Sequence, residues 1–124
     1  MGADRRRMLG LRGEDAVARW YEGAGYLVLA RNWRCQDGEI DLVALSPTGV
    51  VAICEVKTRS TSTFGSPFEA VTISKQRRLR RLAARWLASR PPGDRTMVTI
   101  RFDVAGVMAG PAGDLVVDLV EEAF

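Results

Sequence analysis

Between Leu11 and Ala24 the apolar side chains Val17, Trp20, Tyr21 and Ala24 recur at intervals of three and four, the spacing of a helix that buries one face. Gly23 and Gly25 end that pattern, and Tyr26 to Ala30 reads as a short strand. A turn at Asp37-Gly38 leads into a strand over Glu39 to Leu45, and Ser46-Pro47-Thr48-Gly49 is a second turn before a strand over Val50 to Arg59. Three successive strands with tight connections require that part of the sheet be antiparallel. Ser60 to Pro67 is polar and interrupted by Phe64, as expected of a mobile loop. Ser74 is placed to cap a second helix running to about Ser89, where Pro91-Pro92-Gly93 halts it. Thr96 to Val107 is rich in β-branched residues, Gly110 to Gly113 forms a turn, and Leu115 to Val120 is the last strand. The order is helix, three strands, helix, two strands: an α/β (α+β) chain.

Length sets the scale. A chain of 124 residues, 47% hydrophobic, makes one domain around one modest core, spanning 1–124. Residues 1–8, with Arg5, Arg6 and Arg7, are expected to be a flexible basic N-terminus. No apolar run approaches the roughly 18 residues of a membrane span, and no apolar stretch follows those arginines, so a cytoplasmic location is expected. Two cysteines, Cys35 and Cys54, are too few for a disulfide framework, and Cys54 reads as core.

The chain has no histidine, which excludes Ser/His triads and histidine-based metal or ribonuclease chemistry. Catalysis here must rest on carboxylates, lysine, arginine and a recruited metal. Charge is uneven: seven of the 18 basic residues and no acid lie between Ser74 and Arg90, leaving eleven basic against fifteen acidic residues elsewhere.

Alternation along Val51 to Lys57 puts Glu55 and Lys57 on one face with Val51 and Ile53, and Ala52, Cys54 and Val56 on the other. Asp41 comes from the strand that the Ser46–Gly49 turn pairs with this one. Two carboxylates and a lysine then converge, a set suited to an oxygen-preferring cation, Mg²⁺ or Mn²⁺, with the Val56 backbone carbonyl as a further ligand. Such a cation would polarise a phosphodiester and acidify the attacking water, while Lys57 orients that water and stabilises negative charge. Glu14 falls at helical spacing from Val17, Ala18 and Tyr21, where a carboxylate is costly unless paired or liganded. Singly, each has a plainer explanation: Glu55 with Lys57 as a same-face ion pair, Asp41 as an edge carboxylate, Glu14 as a charge near a helix start.

Taken together, Gly13-Glu14, Gly25-Tyr26, Asn32-Trp33-Arg34, Gly38-Glu39-Ile40-Asp41-Leu42-Val43, Glu55-Val56-Lys57-Thr58-Arg59 and Gly65-Ser66-Pro67 with Glu69-Ala70-Val71 form a specific string covering nearly the whole chain. It resembles the YraN-type family of uncharacterised bacterial proteins, which looks like a small branch of the PD-(D/E)XK, or restriction-endonuclease-like, superfamily. The resemblance implies a central mixed sheet flanked by helices. It also implies Asp41 and Glu55 as metal ligands, Lys57 as catalytic lysine and Glu14 as an acidic residue of the first helix. Ile40 stands where the superfamily pattern has proline. Likeness to archaeal Holliday junction resolvases implies structured or branched DNA as substrate and a possible homodimer.

On the second helix Leu79, Leu82, Ala83, Trp86 and Leu87 form the apolar stripe. Arg77, Arg78, Arg81 and Arg85, with Arg59 and Lys75, are the candidates for phosphate contact, though a solvated arginine-rich face has the same composition. Lys75 and Gln76 precede the stripe near the helix start, where the resemblance to such nucleases implies an accessory polar residue. Nothing reads bases. The expectation is a metal-dependent endonuclease; the alternative is a noncatalytic nucleic-acid-binding or partner-binding module on the same fold.

Overall fold

The computed structural model describes residues 2–59, 71–94 and 99–124. Helix α1 (Gly2–Gly23) precedes strands β1 (Leu27–Cys35), β2 (Gly38–Leu45) and β3 (Val50–Arg59); helix α2 (Ile73–Ala88) and a 3-10 turn at Pro92–Asp94 follow, then β4 (Thr99–Ala109) and β5 (Leu115–Val120). The five strands lie in sequence order, antiparallel except for the parallel pair β3 and β4. A parallel pair needs a long crossover, and α2 lies within it. The expected element order and mixed sheet are therefore present, with one helix on each face.

Each face has its own core. Val17, Ala18 and Tyr21 of α1 pack on Leu42, Ala44, Ala52, Cys54, Ala105 and Val107, while Leu79, Leu82, Ala83 and Trp86 of α2 pack on Ile40, Val43, Val51, Ile53 and Phe102. β3 is covered on both sides, which is why Val50 to Cys54 is an unbroken apolar run. No helix among the described residues is long and apolar enough to cross a membrane.

Four local expectations differ from the structure. α1 starts at Gly2, not Leu11, so the arginines expected to form a flexible N-terminus continue the helix; its exposed first turns carry no apolar period to read. Trp20 and Ala24 lie outside the inward face, which belongs to Val17, Ala18 and Tyr21. β1 runs on to Cys35 through the polar Arg31-Asn32-Trp33-Arg34, closing a hairpin in which Gln36 and Asp37 form the turn and Gly38 has φ 136. The cap of α2 is Thr72, whose hydroxyl accepts the Lys75 N–H at 3.2 Å, two residues before Ser74. The Ser46–Gly49 turn forms as expected, with the Ser46 hydroxyl accepting the Val50 N–H at 2.8 Å. The Ser60–Pro67 loop and the Thr96 start of the fourth strand fall outside the described residues.

A buried polar network ties α1 to β4. The Tyr21 hydroxyl donates to Asp103 at 2.6 Å, and Arg101 clasps the same carboxylate through Nε and Nη2, both at 2.8 Å. Arg101 also donates to the Tyr26 hydroxyl at 2.8 Å. Asp103 is fully buried, so its charge is tolerable only while these donors hold it. Burial pushes the Tyr21 hydroxyl up, keeping it a neutral donor. Arg101→Leu strands that carboxylate and is expected to cost about 3–5 kcal/mol in denaturant unfolding; a loss below about 1 kcal/mol would contradict this role for the network.

Candidate functional site

β2 and β3 form a ladder only from Leu45↔Val51 to Leu42↔Cys54. One step further the register would set Asp41 opposite Glu55, and there the strands part. The Asp41 side chain takes the place of a backbone acceptor: its Oδ2 accepts the Val56 N–H at 2.8 Å. In an extended strand the N–H and C=O of one residue point to the same side. The Val56 carbonyl therefore faces the same opened edge.

The break in β2 is matched in β1. Leu42 packs in the α1-side core and Ile40, two residues away, in the α2-side core, so the alternation reverses around Asp41. Asn32 has φ 51, a left-handed conformation that asparagine tolerates, and it sits between the pairs Arg31↔Leu42 and Trp33↔Ile40. Arg31 meets Asp15 of α1 at 2.5 Å while Trp33 packs toward α2. The local reversal places Asp41 between the two faces, accessible to groups from both. Asn32 is the sequence signal for this reversal, being a residue type that tolerates the left-handed conformation but carries no apolar period.

From the α2 side come Glu55 and Lys57, their charged atoms 3.7 Å apart and both half-buried. From the α1 side comes Glu14, whose Oε2 is buried with no hydrogen-bond partner among the described residues. Gly13 makes that placement possible. A side chain there would run into the Thr58 hydroxyl of β3, so only glycine lets α1 lie this close to the strand.

Asp41 records the crowding. Burial, then the Glu55 carboxylate, push its carboxyl up to about 7 against the lowering effect of the Val56 N–H; Glu14 and Glu39 add to the rise. Among the described residues no three His, Cys, Asp or Glu side chains are already arranged to hold a metal ion. The cluster is instead two carboxylates and a backbone carbonyl at one edge, with an unpartnered third carboxylate beside them. That donor set is all oxygen and fits a hard divalent cation that keeps part of its water shell.

The basic candidates divide. Arg77, Arg78 and Arg81 are exposed on α2. Arg85 is engaged with Asp37 at 2.5 Å, and Arg59 at the end of β3 also has a partner. Lys75 stands next to Lys57, whose ammonium holds it below the ordinary lysine range. The Gln76 side chain donates to the Val71 carbonyl at 3.3 Å, a helix-start contact. Arg80 lies over Phe102 and Phe124, with its guanidinium carbon 4.9 and 5.5 Å from the ring centroids.

A family model described as "Uncharacterised protein family UPF0102" matches residues 13–107, which include Glu14, Asp41, Glu55 and Lys57. Similar proteins, each called a UPF0102 protein, occur in Nocardioides sp. (48% identical over 93% of this chain and 90% of the relative), Nocardia farcinica (44%, over 96% and 91%) and Symbiobacterium thermophilum (46%, over 95% and 97%).

The Asp41 carboxyl has a direct consequence for stability. Because its folded value is raised, the folded chain binds more protons than the unfolded one between the ordinary carboxylate range and about pH 7. Stability from this group is complete at the acid end and is lost as pH rises through 7, by an amount on the order of 4 kcal/mol at most. Asp41→Asn, melted in EDTA, should therefore be more stable than the wild type by roughly 2–4 kcal/mol at pH 8.5, with the gap closing progressively as pH falls from about 7 toward about 4. A gap independent of pH would show that Asp41 is not held in this way.

Proposed function

The chain belongs to the uncharacterised protein family UPF0102, and from the acid cluster at the parted end of β2 and β3 we propose that it is a metal-dependent nuclease. The observation that carries this reading is the Asp41 carboxyl, which accepts the Val56 N–H and is pushed up to about 7 by burial and then by the carboxylates of Glu55 and Glu14. A carboxylate buried beside other carboxylates has no structural benefit by itself, and a divalent cation relieves both the burial and the repulsion. Asp41, Glu55 and the Val56 carbonyl would hold Mg²⁺ or Mn²⁺, with Glu14 as a further or water-bridged ligand. The bound ion would polarise a phosphodiester oxygen and acidify a water.

The chain's own groups do the rest. Glu55 orients the Lys57 ammonium at 3.7 Å, where it can position the attacking water and meet negative charge as it develops on the phosphorus oxygens. Lys75 adds a second cation next to it, and exposed Arg77, Arg78 and Arg81 continue the positive surface along α2. These are backbone contacts, so the protein would select nucleic acid by shape and charge rather than by base sequence. Resemblance to the resolvases favours structured or branched DNA and a homodimer. A cytoplasmic location accords with both.

A second reading has one observation in its favour: no three-ligand set is preassembled among the described residues. On that reading the protein is a noncatalytic docking module using the arginines of α2. Incubation with labelled duplex, single-stranded and four-way-junction DNA and with RNA decides between them. The nuclease reading expects cleavage that requires Mg²⁺ or Mn²⁺, is abolished by EDTA and is lost in Glu55→Ala. Lys57→Ala should lower kcat by about 10²–10³-fold while Mn²⁺ binding is retained. Cleavage by Glu55→Ala at the wild-type rate would refute the assignment, and binding without any cleavage would favour the module.

A further inference from the structure

Helix α1 contains two glycines near the acid cluster, and they differ physically. Gly13 is forced by the close approach of Thr58, whereas a Cβ at Gly10 would meet nothing within 4 Å among the described residues. A glycine in the middle of a helix weakens it, and at Gly10 neither packing nor backbone conformation requires one. What its absent side chain leaves is space. Gly10 lies between Arg6 and Glu14 at four-residue spacing, so all three share one helix face. The space is an open cleft of about 230 Å³ lined by Arg6, Leu9, Gly10, Glu14, Val56 and Thr58.

The two ends of the cleft have opposite character. At one end Arg6 is exposed and has no ion-pair partner among the described residues. At the other Glu14 brings a buried carboxylate oxygen with no hydrogen-bond partner among the described residues. Val56, whose N–H holds Asp41, forms part of the wall. A ligand that satisfies both ends has an anionic group for the guanidinium and a positive or donating group for Glu14. The volume is below the roughly 300–1,000 Å³ of pockets that enclose whole small molecules, and the cleft is open, which suits one unit of a longer chain.

We propose that this cleft is a phosphate subsite for the nucleic-acid backbone, in which Arg6 holds a phosphate next to the metal-binding carboxylates and Gly10 keeps the passage clear. The inference rests on the nuclease reading for the identity of the strand. Glu14 would repel a bare phosphate, so binding there would require the divalent cation that Asp41, Glu55 and Glu14 would hold, whose charge would offset that of the carboxylates. It gives the basic start of α1 a role in binding that the α2 arginines do not cover.

The test is fluorescence anisotropy of a labelled DNA oligonucleotide, single-stranded and duplex, in Ca²⁺ and in EDTA at several salt concentrations. Thermal melts run alongside. Arg6→Ala should weaken Ca²⁺-dependent binding roughly tenfold and reduce the salt slope by about one. Gly10→Met, which fills the cleft without altering charge, should melt at or above the wild-type temperature yet lose a similar factor in binding. Wild-type affinity in Gly10→Met, or an unchanged salt slope in Arg6→Ala, would overturn the subsite. Arg6 is exposed, so its variant tests the proposal even if Gly10→Met fails to fold. Arg6-dependent binding of inorganic phosphate, read by calorimetric titration in Ca²⁺, with no change in anisotropy of the oligonucleotide would overturn the strand assignment in favour of a free anion. Arg6-dependent oligonucleotide binding by a protein that cleaves nothing would uphold the subsite and sink the nuclease reading instead.

Discussion

The Val56 N–H donated to the Asp41 carboxylate is the contact on which the rest of the site depends. It replaces one backbone bond of the ladder just where β2 and β3 part, and so turns the end of a sheet into an opening without leaving an unpaired donor. Three consequences follow from that substitution. Asp41 is fixed between the two faces, the Val56 carbonyl is turned toward the same edge, and carboxylates from opposite sides of the sheet are brought within electrostatic reach of one another.

An arrangement of mutually repelling groups persists only if its supports are stiff. β3 supplies one support, being covered by α1 on one face and α2 on the other before it delivers Glu55 and Lys57 to the edge. The second is the Tyr21–Asp103–Arg101 network, which fastens α1 to β4 and thereby holds Glu14 in register with the site. The third is the Gly13 to Thr58 approach, which sets how closely α1 can lie against β3. Hydrophobic burial makes the scaffold, and a few polar contacts decide where its acids stand.

Much of this was legible in the sequence because its causes are local. Apolar spacing marks Val17 and Tyr21 on the inward face of α1, although Trp20 and Ala24 of the same period lie outside it, and marks Leu79, Leu82, Ala83 and Trp86 on that of α2; alternation along Val51 to Lys57 assigns those residues of β3 to their sides. Other features depend on partners distant in the chain. Arg101, Asp103 and Tyr26 carry no periodic signal, and their network exists only once β4 lies under α1. Polar Arg31 to Arg34 reads as loop because the pairing that makes it a strand is supplied by β2. Arg5 to Arg7 read as a tail because an exposed helical turn has no buried face to reveal it. Arg85 reads as a phosphate contact in the sequence because only the β1–β2 turn brings Asp37 to it.

The central claim is that the Asp41–Glu55–Glu14 cluster is a divalent-cation site. Calorimetric titration of the purified protein with Mn²⁺ at pH 6 and at pH 8 tests it most directly, since an ion that occupies this site must displace the proton held by Asp41 at the lower pH. The account predicts one site per chain, binding about tenfold weaker at pH 6 than at pH 8 with proton release at pH 6, and loss of that binding in Asp41→Asn. Absence of binding at both pH values, or binding of equal strength in Asp41→Asn, would contradict it.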